Sequence, residues 1–254
     1  LSFNLRPAVN ALGVAIPELQ ADTGLSDTVA GVLLALPTLC FAIAGFAVSA
    51  IAARIGSQWA VLLSLLLVAG GQLLRAAVPG TGMLFAGSIL ALIGIPIGNV
   101  LLPGLIRQHF PAAIGPMTAL YTTVLMIGQT AGAGVTLPLE HALGGDWRVG
   151  IGLWAAPALL AILPWIGVVV RREPRPAAGQ GVDERDEPQT PPEGTAHEPA
   201  IAIGALMRSR RAWSMAVFFG VQSLHAYVMF GWLPSVLTAG GVSTGTAGTA
   251  MAIL

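Results

Sequence analysis

The sequence predicts an all-α, polytopic membrane protein, and three observations carry that prediction. Of its 254 residues, 55% are hydrophobic and 9% charged, where a soluble domain carries about 25% charged residues. The apolar residues form continuous runs long enough to cross a hydrocarbon core of roughly 30 Å, which takes about 20 helical residues. The charges are gathered as well: 14 of the 24 lie between Arg171 and Arg211, leaving 10 for the rest of the chain. Runs that are apolar throughout specify helices, since the strands of a membrane barrel alternate apolar and polar side chains.

Taken in order, Leu1 to Ile16 is apolar but spans only about 24 Å as a helix, so it is expected to be a first span lacking its initial turns, ended by Pro17. Six complete spans follow, at about Thr28 to Ala53, Gln58 to Val78, Met83 to Ile106, Met117 to Leu139, Val149 to Val170 and Ala212 to Leu237. Ser243 to Leu254 opens one more. The expected organisation is a six-helix N-terminal half at 1–170, a polar linker at 171–211 and the start of a second half at 212–254, with the chain a fragment of a larger protein. From Glu173 to Pro199 the linker holds six prolines and mixed charge, too little apolar surface to build a core.

Arginine sets the orientation. With a cytoplasmic N-terminus, Arg54, Arg107 and the arginines of the linker face inward, while Glu18, Asp22, Asp27, Glu140 and Asp146 occupy outer loops. The expected location is the inner membrane, multi-pass, with the N-terminus and linker cytoplasmic. Arg75 is expected to snorkel toward the outer interface, and Trp147 and Arg148 to mark that interface before the sixth span.

Several function classes are excluded. Net charge is zero and lysine is absent, so nucleic acid finds no basic face. The single cysteine, Cys40, permits neither disulfide nor cysteine cluster. His109, His141, His197 and His225 fall in four separate segments, and no HExxH, Walker or nucleophile motif occurs, so neither cofactor, metal nor enzymatic chemistry is expected.

An internal repeat appears at an offset of 217, pairing Pro17, Gly24, Ser26, Ala30 and Gly31 with Pro234, Gly241, Ser243, Ala247 and Gly248. Each copy is read as ending a span on Pro, turning on Gly and opening the next span on a Ser N-cap. It joins the first loop before the linker to the first loop after it, which implies parallel six-span repeats. The segments Asn4-Leu5-Arg6-Pro7-Ala8, Pro17-Glu18, Gly24-Leu25-Ser26, Gly98-Asn99-Val100-Leu101-Leu102-Pro103, Met117-Thr118-Ala119-Leu120-Tyr121 and Gly231-Trp232-Leu233-Pro234 resemble the cyanate and 2-nitroimidazole transporter family within the major facilitator superfamily. That resemblance implies a monomeric secondary transporter for a small anionic or polar nitrogen-containing solute, working by alternating access in the bilayer, with protons as a candidate coupling ion; drug or metabolite efflux is the alternative. In the loop after the second span, the superfamily's acid-and-base gate signature aligns with Ser49 to Gln58. Arg54 and Gly56 are kept as gate-loop residues, but Ala53 replaces the acid, and Ser57 and Gln58 replace the bases.

A charge near the bilayer centre is costly and therefore a functional candidate. Arg6 lies 11 residues before Pro17, roughly 16 Å deep, and its planar five-donor fork suits an electron-rich ligand. Asn10 follows one turn later on the same face. Gln222 should face the same cavity from the second half, and Tyr121, Asn99 and Gln129 complete the candidate substrate-binding set. His225 is a candidate proton relay. No acid lies within a predicted span, so a carboxylate relay is expected only from elsewhere. The pairs Gly94/Gly98 and Gly128/Gly132 have the small-xxx-small spacing of close helix packing.

Overall fold

A computed structural model describes residues 1–144, 146–170, 208–243, 246 and 250. Every regular element among them is helical. A short 3₁₀ turn, Ser2–Leu5, leads into α1 (Pro7–Thr23); then come α2 (Asp27–Ile55), α3 (Ser57–Ala77), α4 (Thr81–His109), α5 (Ile114–Gly134), α6 (Thr136–Ala142), α7 (Trp147–Gly152), α8 (Ala155–Val170) and α9 (Arg210–Ala239). Among the described residues, five segments are long and apolar enough to cross a membrane: 27–45, 57–77, 81–109, 111–134 and 147–170. The predicted span at 212–237 is one continuous helix of 30 residues, about 45 Å long. The linker at 171–207, with His197, lies outside the described residues.

Helix α1 departs from expectation at both ends. Its start is broken at Arg6, where Pro7 takes the first helical position, the one place where a missing N–H costs nothing. At the other end Pro17 sits inside the helix, which continues to Thr23. The stop is Gly24, whose φ of +67° closes the last turn as its N–H bonds the Gln20 carbonyl at 2.9 Å. Ser26 then caps α2 by accepting from the Val29 N–H. The second repeat copy has the same local geometry: Gly241 has φ +87°, and the Ser243 hydroxyl accepts from the Thr246 N–H at 3.3 Å. At the opposite end of the bundle Gly56, φ +86°, separates α2 from α3. The tight glycine turn of the gate loop is therefore present, with Arg54 exposed in the last turn of α2.

Glycine sets the distances between helices. A Cβ on Gly71 of α3 would lie 2.4 Å from the Ala91 nitrogen of α4, and one on Gly87 would lie 2.7 Å from the Arg75 nitrogen. Gly94 meets the Ser64 carbonyl, Gly98 meets Leu5, Gly128 meets the Phe3 carbonyl and Gly132 meets Pro7. Both small-xxx-small pairs are thus packing surfaces: one seats α4 on α3 and the 3₁₀ turn, and the other seats α5 on the chain around Arg6. Helix α1 consequently runs through the middle of the bundle, buried from Asn10 to Ile16. In lipid no hydrophobic force draws helices together, so this close contact carries the association.

Adjacent glycines on α3 provide a test. In the full-length protein, Gly71→Ala should lower thermal stability in detergent by about 1–3 kcal/mol, since its Cβ strikes backbone. Gly70→Ala, which meets nothing within 4 Å, should be neutral or stabilising by about 0.5–1 kcal/mol.

Candidate functional site

Arg6 lies in the joint between the 3₁₀ turn and α1, partly buried. Its carbonyl accepts from the Val9 and Asn10 N–H groups, starting the helix, while its side-chain Nε is buried without a hydrogen-bond partner. Among the described residues no carboxylate pairs with it. Tyr121 of α5 lies within Coulombic range of the guanidinium and is half-buried. The charge of Arg6 is thus felt at Tyr121, with no hydrogen bond between the two among the described residues.

The other candidates are placed differently. Asn10 is buried, and its Nδ2 donates to the Gln129 carbonyl at 3.2 Å, tying α1 to α5. Gln129 is itself buried in that seam, so the face of α1 that carries Asn10 is a packing face. Asn99 is half-buried on α4, next to the Gly98 contact with Leu5. On α9, Gln222 and His225 are exposed, and no hydrogen bond links either to the first six spans among the described residues. Helix α9 packs against α1 and α2. Gly31 receives the Trp232 ring at 3.3 Å from where a Cβ would stand, beside a cleft of about 260 Å³ lined by Leu34, Thr38, Leu224 and Val228.

Three polar features depart from their sequence reading. Arg75 does not snorkel: it is 1% exposed, and its Nη2 donates to the Ala8 carbonyl at 3.0 Å and to Gln72 Oε1 at 3.3 Å. Gln72 in turn donates to the Trp154 carbonyl at 3.0 Å, so the two side chains pin α3 to α1 and to the start of α8. Their i,i+3 spacing beside Gly71 is the signal for a packing face, because polar groups flanking a small-residue contact point at protein. Trp147 is buried rather than interfacial, donating from its indole to Asp22 at 3.0 Å. Arg148 lies over the Trp147 ring and 3.7 Å from the same Asp22. The acids Glu18 and Glu140 are not loop residues: Glu140 is 1% exposed on α6, and Glu18 is half-buried on α1. Nothing in their sequence spacing foretells this, since 122 residues separate them.

Residues 3–254 match the Major Facilitator Superfamily. The chain belongs to that family. It is a multi-pass membrane protein, and it is 33% identical over its whole length to an uncharacterized transporter, YycB, of Bacillus subtilis, covering 58% of that relative. It is 28% identical to the 2-nitroimidazole transporter and 27% identical to the cyanate transport protein CynX of Escherichia coli, covering all of this chain and 60% and 61% of theirs. The chain thus spans about three-fifths of the length of these relatives. A crystal structure of a D-xylose-proton symporter superposes with TM-score 0.64 at 16% identity, over all of this chain and 64% of the symporter. That likeness establishes the fold.

If Asn10 acts through packing, Asn10→Ala in the full-length protein should cost about 1 kcal/mol of stability through the lost bond to the Gln129 carbonyl. Solute affinity, measured by calorimetry on the folded variant, should stay within about twofold of wild type, a change worth under half a kcal/mol.

Proposed function

We propose that the protein is a secondary transporter which moves a small anionic or polar nitrogen-containing solute across the inner membrane by alternating access of its two halves. The observation that carries this reading is Arg6: a guanidinium at the head of α1, its Nε buried and unpartnered, with no carboxylate beside it among the described residues. A cation left uncompensated in an apolar bundle is costly, and an electron-rich solute supplies the missing partner through charge-assisted, forked hydrogen bonds. Tyr121 adds a half-buried hydroxyl in the field of the same charge. The names of two relatives, a 2-nitroimidazole transporter and a cyanate transport protein, fit such a ligand.

Asn99 and Gln222 are secondary contacts in this proposal, brought to the solute as the α9 side of the protein closes on α1. Asn10 and Gln129 hold α1 against α5, so that Arg6 sits at a fixed place. The contact of Gly31 with Trp232 is a surface along which the halves move. The first six spans and the helices from 212 onward form those halves, the linker faces the cytoplasm with the N-terminus, and the α1–α2 end faces outward.

Transport by the reconstituted full-length protein tests this. Loss of a hydrogen bond to a charged group costs about 1.5–3 kcal/mol, so Arg6→Ala should weaken binding of cyanate or 2-nitroimidazole by roughly 10- to 150-fold. Arg6→Lys, which keeps the charge but not the fork, should fall between. An Arg6→Ala protein that inserts normally and transports at the wild-type rate would overturn the assignment.

A further inference from the structure

The outer end of the first half holds a group of side chains that the solute site does not use. One carboxylate oxygen of Glu18, one of Glu140 and one ring nitrogen of His141 all lie within 4.8 Å of one another. Glu140 is 1% exposed, and both Glu140 Oε2 and Glu18 Oε2 are buried with no hydrogen-bond donor. The burial has a definite cause. Gly150 of α7 lies flat on Glu140, 3.0 Å from its Oε2 to where a Cβ would stand, so the carboxyl is sealed against backbone. We propose that Glu18 and Glu140 form a two-carboxyl site that binds one proton from the outer solution and, resting on the transporter reading above, sets the state of α1 during the transport cycle.

Two carboxyls within 4.8 Å of each other at a largely buried place repel when both are ionised, so the pair favours holding one proton and titrates as a unit. A proton taken up by either carboxyl adds a donor to a cluster in which both Oε2 atoms lack one. The charges around the pair do not relieve it. Asp22, one turn beyond Glu18, is occupied by Trp147 and Arg148, and Asp27 of α2 accepts from Gln20. Arg75 of α3 is directed to Ala8 and Gln72. His141 of α6 opposes the protonated form of both acids, and Asp146 favours it at Glu140. The other helices packed on α1 bring no acidic or basic side chain to this end among the described residues. Burial first, and then the neighbouring Glu140 charge, push Glu18 up to about 7; burial, with Asp146, raises Glu140 as well. A divalent cation is the competing occupant, for which the three side chains supply only three ligand atoms, with His141 exposed and Gly150 lying against Glu140.

Arg6 caps the start of the helix that carries Glu18, 12 residues or about 18 Å further along. Gain or loss of a proton at one end of α1 therefore changes the charge on the element that carries the solute cation at its other end.

The test uses the purified full-length protein and its Glu18→Gln and Glu140→Gln variants, with thermal unfolding followed across pH. For an acid whose folded pKa is raised above its ordinary 4.5, stability is complete in acid and is lost as pH rises through the folded value, here up to about 7. Each amide variant should match wild type near about pH 5 and unfold at a higher temperature near about pH 8, where the ionised pair strains only the wild type. Uptake by reconstituted wild type should rise as the outer solution is acidified, and either amide should flatten that response. Variants whose unfolding tracks wild type at every pH would overturn the proposal. So would stabilisation of the wild type by Mg²⁺, Mn²⁺ or Zn²⁺ that either amide abolishes, since that marks a metal site. Because unfolding needs no solute, a failed solute assignment leaves this test standing, and a failed pH test leaves the Arg6 assignment untouched.

Discussion

A bundle in lipid has no water with which to satisfy its polar groups, and the structure follows from that constraint. Each polar side chain inside must find a protein partner, and the helices must approach closely enough to provide one. Glycine supplies the approach: Gly71 and Gly87 between α3 and α4, and Gly128 and Gly132 under the head of α1. Side chains aimed at backbone carbonyls supply the partners. Asn4 reaches the Pro157 carbonyl, Asn10 that of Gln129, Ser64 that of Gly94, Gln72 that of Trp154 and Arg75 that of Ala8. Most of these bonds cross between elements far apart in sequence, and two of them, from Asn10 and Arg75, tie α1 to α5 and α3.

The same constraint separates scaffold from function. A polar group that has found a carbonyl belongs to the scaffold, even when it is as costly to bury as Arg75. One left without a donor or acceptor is available for a ligand. Asn4, Arg75 and Arg148 each keep a buried unpartnered atom but bond through another, and Ser88 Oγ is unpartnered as well. Arg6, Glu18 and Glu140 are the ionisable side chains in that group with no side-chain hydrogen bond among the described residues, and Arg6 and Glu18 carry opposite charge near opposite ends of α1. A solute that accepts hydrogen bonds suits one end, and a proton suits the other. Helix α1, wedged between glycine seams, connects them as a rigid element.

Much of the fold was legible in the sequence because its signals are local. Apolar runs between charges place five of the spans within a few residues, and Gly24 and Ser26 mark the α1–α2 turn by their own backbone and capping preferences. Pro17 is the exception: it lies inside α1, which runs on to the Gly24 stop, because a proline within a packed membrane helix need not end it. The site was legible only in part. Arg6 stands out as a charge with no loop to explain it, whereas the roles of Asn10 and Gln129 depend on a helix contact across more than a hundred residues. Arg75 looked interfacial because depth along a helix is readable from sequence and rotation about its axis is not. Glu18 and Glu140 looked like loop acids for a similar reason, since only the fold brings Gly150 down over one of them.

The central claim is that Arg6 is a cation the protein leaves for its solute. A structure of the full-length protein, solved without solute and again with selenocyanate, whose selenium is readily located, examines it directly. In the empty protein no carboxylate should reach the Arg6 guanidinium, and in the loaded one selenium density should appear within hydrogen-bonding range of it. A carboxylate bonded to Arg6 in the empty protein, or density bound elsewhere with Arg6 untouched, would contradict it.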